Sequence, residues 1–341
     1  MINPILNFAV RQRLLVVLAT LILTGFGWLS LRQIPIDAFP DMTNVQVQVL
    51  ASAGGMSPPD MEKLVTRPIE IELAGLPKLT EVRSVSKIGL SLITVVFEDD
   101  VNDYFARQLV FERLSGAKDR LPAGVEVQLG PISTGLGEIY QYTLVSKDKQ
   151  YDARELRTIQ DYIVRPILRT VPGVTDVNSF GGQVKQYQVL IKPDRLTSYG
   201  ITLQQVFEAL EKNNANASGN FIEHGSEQYV VRGLGLVRDT KDIENIIVAT
   251  HEHAPVYVRD VADVVIGSEL RQGAVTANGE GEAVAGIVLM LKGASGRDVV
   301  NAVKKKLPAI QKALPKGVEL VPFYDRTDLV KKAIHTIGWV Y

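Results

Sequence analysis

The sequence predicts an α+β protein. A transmembrane helix at the N-terminus precedes two ferredoxin-like units of chain order βαββαβ, and an α+β insert interrupts the second unit. Three observations support this fold class. An uncharged apolar run lies near the N-terminus, one proline-containing pattern occurs twice in the remaining chain, and the second copy is completed only after a long intervening segment. Units of this order form a four-stranded sheet with two helices.

The apolar run covers residues 14–31 and is flanked by Arg11 and Arg13 before it and Arg32 after it. Its length is close to the roughly 20 residues that a helix needs to cross a bilayer. Because the arginines Arg11 and Arg13 precede the run, the positive-inside rule places the N-terminus in the cytoplasm and the following chain outside. A cleaved signal peptide is the alternative. We favour an uncleaved anchor because no small-x-small cleavage site follows the run.

Composition excludes several classes of function. The formal net charge of −1 gives no indication that the chain binds nucleic acid. The absence of cysteine excludes disulfides and thiolate metal ligands. Aromatic residues make up 7% of the chain, which is few for a pocket that stacks large apolar ligands.

Each copy of the repeated pattern has three parts. An Arg-Pro-Ile triplet comes first, a nine-residue segment with proline at its second position follows, and a Leu-Pro-x-Gly-Val turn comes last. Because the order of the three parts is the same in both copies, we infer an internal duplication. The matching segments are 67–69 with 165–167, 76–84 with 171–179, and 121–125 with 314–318.

The first unit can be assigned element by element. Ser57 is placed to cap a helix whose first turn contains Pro58, and Gly75 is a suitable residue to end that helix. Alternating apolar residues predict the strands around it. The predicted elements are strand 45–51, helix 57–75, strands 80–86 and 90–97, helix 102–120 and strand 125–129.

The second unit has the same predicted order, but its two halves are far apart in the chain. The segment between them predicts a separate α+β insert with a hairpin about Gly225 and Ser226. The unit comprises strand 138–145, helix 152–170, strand 175–180, strand 283–291, helix 297–314 and strand 318–323. The insert comprises strand 186–191, helix 202–212, strands 221–224 and 228–232, helix 240–247 and strand 256–258.

Apolar character returns at the C-terminal end of the sequence, after Lys331 and Lys332. The aromatic residues Trp339 and Tyr341 suit a membrane boundary. We therefore expect residues 329–341 to be the truncated start of a second transmembrane helix. An ordinary amphipathic terminal helix is the alternative.

Several segments resemble the heavy-metal efflux subfamily of the resistance-nodulation-division (RND) transporters. The clearest is residues 34–49, Ile-Pro-Ile-Asp-Ala-Phe-Pro-Asp-Met-Thr-Asn-Val-Gln-Val-Gln-Val, directly after the first apolar run. The other matching segments are 3–10, 57–60, 67–70, 82–84 and 200–202. The resemblance covers essentially the whole chain.

The resemblance implies a domain plan. Residues 1–37 would be an amphipathic leader and the first transmembrane helix (about 14–31). Residues 38–134 would be the first porter subdomain, and 135–182 with 270–328 the second. Residues 183–269 would be a docking subdomain, inserted into the second porter subdomain. Residues 329–341 would start the next span.

The resemblance also implies a function. Members are trimeric inner-membrane pumps that exchange protons for metal cations such as zinc, cobalt or nickel, with most of this region in the periplasm. They work with a periplasmic adaptor (membrane fusion protein) and an outer-membrane channel. The acids that relay protons lie on a later span, so residues 1–341 would not transport alone. No resident cofactor and no nucleic acid partner is implied.

Glu138 and Asp176 are the first candidate metal ligands. Each lies at or near the start of a strand of the second unit. A right-handed crossover makes these strands parallel, so both carboxylates are expected at one edge of the sheet. Carboxylates suit Zn²⁺, Co²⁺ or Ni²⁺ better than Cu⁺, which prefers sulfur. The alternative is two solvent-exposed acids without a metal.

His251 and His253 are the second candidate. Histidines at positions i and i+2 of a strand face the same side and could share a metal. The polar context just before Pro255 favours a solvated hairpin turn instead.

The sequence contains no nucleophile elbow, P-loop or His-Glu-x-x-His motif, so we expect a transporter and not an enzyme. Two alternatives to metal efflux remain open. One is an anchored periplasmic adaptor or assembly protein. The other is an RND pump for apolar drugs or lipids, against which the sparse aromatic residues argue.

Overall fold

The computed structural model describes residues 11–33, 43–148, 150–224, 227–233, 235–251, 254–269, 271, 273–279 and 281–340. Its first helix, α1 (Arg13–Gln33), contains an 18-residue window of mean hydropathy 1.8, none of it buried in the protein. The hydroxyls of Thr20 and Thr24 donate to the carbonyls four residues earlier, at 2.8 Å each. Within the described residues, α1 is the one helix long and apolar enough to cross a membrane.

The first unit is continuous in sequence. Its sheet has the order β2-β3-β1-β4, and all neighbouring strands are antiparallel. Buried Val, Ile and Phe side chains of the sheet pack on the helices and form one core. Ser57 and Asn102 cap the two helical segments, as Ser, Thr, Asp and Asn commonly do. The elements are β1 (Gln46–Ser52), α2 (Pro58–Met61), α3 (Arg67–Leu73), β2 (Leu79–Lys87), β3 (Leu90–Phe97), α4 (Asp103–Ala117) and β4 (Glu126–Leu129).

The second unit repeats this arrangement with strands from distant parts of the chain. Its sheet has the order β14-β5-β13-β6, which is again fourth, first, third and second strand of the unit. A second buried core lies between this sheet and its helices. The elements are β5 (Glu138–Ser146), α5 (Ala153–Ile159), α6 (Arg165–Arg169), β6 (Val174–Phe180), β13 (Val284–Met290), α11 (Gly296–Ala313) and β14 (Val318–Asp325).

In each unit the first helix contains a π turn at the same position. A π-helical turn joins α2 to α3 at Glu62–Thr66, and another joins α5 to α6 at Gln160–Val164. Each π turn ends directly before the Arg-Pro-Ile triplet. Proline lacks an N–H and its ring crowds the carbonyl four residues earlier, so the helix must adjust on its N-terminal side. The helices predicted at 57–75 and 152–170 are therefore each interrupted by a π turn in the structure.

A buried polar network lies behind the π turn of the second unit. The Tyr142 hydroxyl donates to Gln160 at 3.0 Å, and the Gln160 amide donates to Ser179 at 3.4 Å. Ser179 in turn donates to Asp161 at 2.5 Å. Burial raises the pKa of Tyr142 far above its ordinary value. The Tyr142 ring also covers Gly286 of β13, where any added Cβ would overlap the ring.

The insert forms two small apolar clusters of its own. It is attached through β7 (Lys185–Ile191), which pairs with β12 (Ala262–Ser268) along its whole length. The sequence did not predict β12 or the short helix that follows β7. The remaining elements are α7 (Pro193–Tyr199), α8 (Leu203–Lys212), β8 (Ala217–His224), β9 (Glu227–Gly233), α9 (Thr240–Glu244), β10 (Ile247–His251), β11 (Ala254–Tyr257) and α10 (Val258–Val261).

The strands β8 and β9 form the predicted hairpin arm. They pair with each other from Ala217↔Gly233 to His224↔Glu227. Among the described strands neither pairs with a third one. The predicted turn residues Gly225 and Ser226 lie outside the described residues.

The chain ends in helix α12 (Arg326–Val340), which follows β14 with no residue between them. Its first turn packs on the second unit, since Arg326, Thr327 and Val330 are buried.

Candidate functional site

The predicted metal site of Glu138 and Asp176 lies at the end of the second sheet where strands β5 and β6 begin. Both strands run antiparallel to β13 and are therefore parallel to each other. Leu289 of β13 pairs with Glu138 on one side and with Asp176 on the other. The two acids thus share one register position, at one edge of the sheet.

One strand nevertheless separates the two acids. Because neighbouring strands are spaced by about 4.8 Å, the backbones of Glu138 and Asp176 are about 9.6 Å apart. A shared zinc ion at about 2.1 Å from each ligand would need their oxygens within about 4 Å of each other. In the structure the two carboxylates make separate contacts, Glu138 with Gln141 and Asp176 with Arg165 and Val177.

Asp176 is an ion-pair partner of the helix layer. Its oxygens accept hydrogen bonds from Arg165 at 3.1 and 3.2 Å and from the Val177 amide at 2.7 Å. Arg169 lies 3.5 Å from the same carboxylate. Its negative charge is therefore already balanced by two guanidinium groups.

Glu138 has fewer contacts than Asp176. Its carboxylate accepts a hydrogen bond from the Gln141 amide at 3.0 Å, and the residue is partly exposed. No cation pairs with it among the described residues. Of the two acids it is the one more available to an ion, and the metal role of the pair stays a prediction.

Of the two histidines predicted to share a metal, His251 and His253, the second lies outside the described residues. His251 ends β10, is exposed, and meets the Tyr199 ring edge-on at 6.0 Å between centroids. Among the described residues no group of three or more His, Asp or Glu side chains is placed to hold a metal. The metal role of His251 and His253 also stays a prediction.

The edge that carries Glu138 faces the first unit. Lys292, two residues after β13, donates to Asp103 of α4 at 3.2 Å and to the Asn44 carbonyl at 3.4 Å. The backbone amide of Lys292 donates to Ile132 at 3.2 Å. The two charged side chains are mostly buried, being 20% and 29% exposed. Sequence reasoning missed this bridge, because an acid in the first turn of a helix is already explained by the helix dipole.

A second charged group lies where β14 becomes α12. Asp325 accepts hydrogen bonds from the Thr327 amide at 2.8 Å and hydroxyl at 2.6 Å, and it pairs with Lys304 of α11. Burial disfavours the ionised carboxylate, but the hydrogen bonds from Lys304 and Thr327 outweigh burial and hold its pKa below the ordinary value. The next residue, Arg326, donates to the Leu136 carbonyl.

Tyr140 completes this group. It pairs with Asp325 across the sheet and is 1% exposed. Burial, and secondly the charge of Asp325, raises the pKa of its hydroxyl to about 12. Tyr140 therefore stays neutral at physiological pH. Nothing in the local sequence around Asp325 signals this cluster, since Lys304 and Tyr140 come from distant segments.

Comparison with known proteins identifies the chain. The model of the AcrB/AcrD/AcrF family matches residues 5–339. The chain belongs to this family. It is 51% identical to the cation efflux system protein CzcA of Alcaligenes sp. (strain CT14) over 99% of the chain and 32% of that protein. It is 50% identical, with the same coverage, to the cobalt-zinc-cadmium resistance protein CzcA of Cupriavidus metallidurans.

A solved structure of a heavy metal efflux pump has the same fold. It superposes with a TM-score of 0.88 at 37% identity, over 97% of this chain and 33% of that one. The predicted resemblance to heavy-metal RND pumps is thus confirmed. The chain spans about a third of the length of the family members it matches.

Proposed function

We propose that this AcrB-family chain forms the N-terminal part of an inner-membrane pump that exports divalent heavy-metal cations in exchange for protons. The observation that carries the proposal is identity of 50% and 51%, over 99% of the chain, to two proteins named for cation efflux or for cobalt-zinc-cadmium resistance. This similarity favours the pump over an anchored adaptor and over a pump for apolar drugs or lipids.

The proposed transported ions are zinc, cobalt or nickel, as substrates and not as resident cofactors. To test this, the complete gene is expressed in a bacterium that lacks its own metal exporters. We expect growth at zinc or cobalt concentrations that stop the empty-vector strain, and lower cellular metal content. Unchanged metal content and growth would contradict metal export.

We further propose that the two units are ferredoxin-like porter subdomains, bounded at 38–134 and at 135–182 with 270–328. Their common strand order, fourth-first-third-second, supports this assignment. Residues 183–269 would be the docking subdomain. Because the Lys292–Asp103 bridge lies beside the edge that carries Glu138, movement between the porter subdomains would change the surroundings of that acid.

Glu138 and Asp176 are proposed as carboxylates on the path of the ion, with further ligands supplied by the rest of the pump. Replacing Glu138 by Gln keeps its size and removes its charge. Metal resistance should fall while thermal stability stays unchanged, because Glu138 has a single neutral partner. For Asp176→Asn we expect lower thermal stability as well, because Arg165 and Arg169 lose their counter-ion.

The proposed topology places Arg11 and Arg13 in the cytoplasm and residues 38–328 in the periplasm. The exposed apolar surface of α1 supports a membrane location for that helix. Reporter enzymes fused after Gly124 and Gly267 should be active only if they function in the periplasm. Activity of a cytoplasmic reporter at either site would contradict this orientation.

The proposed assembly is a homotrimer that works with a periplasmic adaptor and an outer-membrane channel. The hairpin arm β8–β9 would bind a neighbouring subunit. An isolated two-stranded hairpin is marginally stable in water, so a partner surface would account for it. Deleting residues 216–233 from the complete protein should reduce the trimer fraction in native mass spectrometry. An unchanged trimer fraction would exclude the arm from assembly.

A further inference from the structure

We propose that Arg326 is a positioning residue for Glu138. Its guanidinium holds the short turn Gly135–Gly137, directly before β5, against the first turn of α12, and so fixes where Glu138 lies. The effect on a transported ion rests on the proposed role of Glu138 in the path of that ion. The holding of the turn does not depend on that role.

The position of Arg326 is unusual for a helix. It is the first residue of α12 and is 4% exposed. A positive charge at a helix N-terminus is disfavoured by the helix dipole, and arginine is rarely buried without a partner. Helix formation therefore does not account for this side chain. Its hydrogen bond to the Leu136 carbonyl connects it instead to a segment outside its own helix.

The turn that Arg326 contacts directly precedes Glu138. It is a single 3₁₀ turn, Gly135–Gly137, in which the Gly137 amide donates to the Thr134 carbonyl at 2.8 Å. Gly137 is buried, and an added Cβ there would overlap a neighbouring side chain. Because the next residue is Glu138, a shift of this tightly packed turn would shift that acid as well.

The hydrogen bond of the Glu138 carboxylate stays within its own strand. It is accepted from Gln141 at 3.0 Å, and Gln141 also belongs to β5. Such a contact moves with the strand and does not fix the carboxylate relative to the rest of the unit. The location of the carboxylate therefore depends on the backbone at the start of β5.

The first turn of α12 is a firm support for Arg326. Its two neighbours in sequence are both held by Lys304 of α11, which pairs with Asp325 and donates to the Thr327 hydroxyl at 3.3 Å. Asp325 also lies opposite Tyr140 of β5 in the sheet. Groups that orient a metal ligand from behind are important for affinity, and their loss typically weakens metal binding by about 10–100-fold.

Another arginine holds the opposite end of the linker between the two units. Arg107 of α4 donates to the Gly130 carbonyl at 2.5 Å. This contact secures the linker where it leaves the first unit. Arg326 acts two residues before Glu138 and is therefore better placed to fix the acid. The two arginines make the same kind of contact, so Arg107 provides a matched control.

The experiment uses the complete protein, purified in detergent, with the variants Arg326→Met, Arg326→Lys and the control Arg107→Met. Hydrogen exchange of the amides of residues 135–138 reports how firmly the turn is held. Calorimetric titration with zinc chloride reports ion binding. Combining Arg326→Met with Glu138→Gln gives a double-mutant cycle, which tests whether one residue acts through the other.

We expect amides 135–138 to exchange about tenfold faster in Arg326→Met than in the wild-type protein, because a hydrogen bond from a charged donor is lost. Arg107→Met should leave these amides unchanged. Arg326→Lys keeps the charge with a shorter side chain and a single donor group, so it should give a smaller change in the same direction. It also allows the test if Arg326→Met does not fold.

In the zinc titration, Arg326→Met should weaken binding by about tenfold, and Arg107→Met should bind like the wild-type protein. With Glu138→Gln already present, Arg326→Met should cause no further loss, because the carboxylate that it positions is gone. A residue with a general structural role would weaken binding by the same factor in both backgrounds.

Three results would overturn the proposal. One is unchanged exchange of amides 135–138 in Arg326→Met. Another is equally faster exchange there in Arg107→Met. The third is an equal loss of zinc affinity from Arg326→Met with and without Glu138. If the wild-type and Glu138→Gln proteins bind zinc equally, the proposed ion-path role of Glu138 fails, and the exchange measurement still decides whether Arg326 holds the turn.

Discussion

The two four-stranded units share one strand order but reach it in different ways. The first unit is built from one continuous segment, whereas the second closes its sheet only after the insert has been made. The first buries a small hydroxyl cluster, in which Thr66 contacts Ser91 at 2.7 Å and Ser86 at 2.8 Å. The second buries a longer network that begins at Tyr142. The fold therefore tolerates interruption, while the charged and polar groups differ between copies.

The second unit is connected to more parts of the molecule than the first. Its Lys292 contacts the first unit, and the insert lies between its strands β6 and β13. Its last strand, β14, continues directly into α12. In the first unit, the segment 34–42 that follows α1 lies outside the described residues. We infer that the second unit is the more sensitive of the two to substitution of buried groups.

The largest effect is expected for Gly286→Ala. An added Cβ on β13 would overlap the Tyr142 ring at the centre of the second sheet. Overpacking of this kind should lower the free energy of unfolding by about 3 kcal/mol. Thermal unfolding in detergent measures the loss. The control Gly135→Ala adds a methyl group where nothing lies within 4 Å, and should be close to neutral. Equal midpoints for the two variants would contradict the packing described.

The next largest effect concerns the network itself. Gln160 is fully buried, and Gln160→Leu leaves the Tyr142 hydroxyl without its acceptor. An unsatisfied buried hydroxyl should cost about 2 kcal/mol. The double variant Gln160→Leu/Tyr142→Phe removes both partners and should regain part of the loss. If the double variant were less stable than Gln160→Leu alone, the hydrogen bond would not be the cause.

The third prediction is a pH dependence at the junction of β14 and α12. The folded-state pKa of Asp325 lies below its ordinary value. Its stabilising contribution is therefore present above pH about 4 and lost as pH falls through the folded-state pKa. Asp325→Asn should cost about 1–2 kcal/mol at pH 7, from hydrogen bonds to a charged group. Unfolding midpoints at pH 7, 5 and 3 should show the difference shrinking toward acid pH.

A matched variant in the first unit sharpens this comparison. Asp100 pairs with Lys78, but both side chains are well exposed, at 63% and 48%. Solvent screens such pairs, so Asp100→Asn should change the midpoints little at any of the three pH values. If Asp100→Asn lowered the unfolding midpoint more than Asp325→Asn, and with a stronger dependence on pH, then the stabilising ion pair would be Lys78–Asp100 and not Lys304–Asp325.

Apart from the Asp100→Asn control, the smallest effect is expected at the bridge between the units. A double-mutant cycle with Lys292→Ala and Asp103→Ala isolates the pairwise energy of that contact. We expect a coupling of about 1 kcal/mol, since the two side chains are mostly buried but one ion pair contributes modestly. A coupling of zero would mean that the two units are not held together by this contact.

Much of the fold could be predicted from the sequence, because alternation and capping are local signals. β3, predicted at 90–97, is observed at Leu90–Phe97, and the predicted cap residue Ser57 caps its helix. Strand β12 was missed because its partner β7 is distant in sequence. The π turns were missed because the prolines of the two Arg-Pro-Ile triplets were used only as markers of the repeat.

The candidate site was less predictable. The parallel course of β5 and β6 was correctly derived, but β13 lies between them, and only the completed sheet order shows it. The pairing of Asp176 with Arg165 crosses from strand to helix and has no sequence signature. The contact of Lys292 with Asp103 and that of Asp325 with Tyr140 join residues more than a hundred positions apart, and Lys304 is 21 positions before Asp325. Local patterns cannot predict such contacts.

The central proposal is that this chain forms part of a proton-driven exporter of divalent metal ions. The most direct test is zinc-dependent proton movement in proteoliposomes, recorded with an enclosed pH-sensitive dye. The complete protein should move protons only when zinc is present, and residues 1–341 alone should move none, because α1 contains no ionisable group between Arg13 and Arg32. Zinc-independent proton movement by the complete protein, or zinc-dependent movement by residues 1–341, would contradict the account.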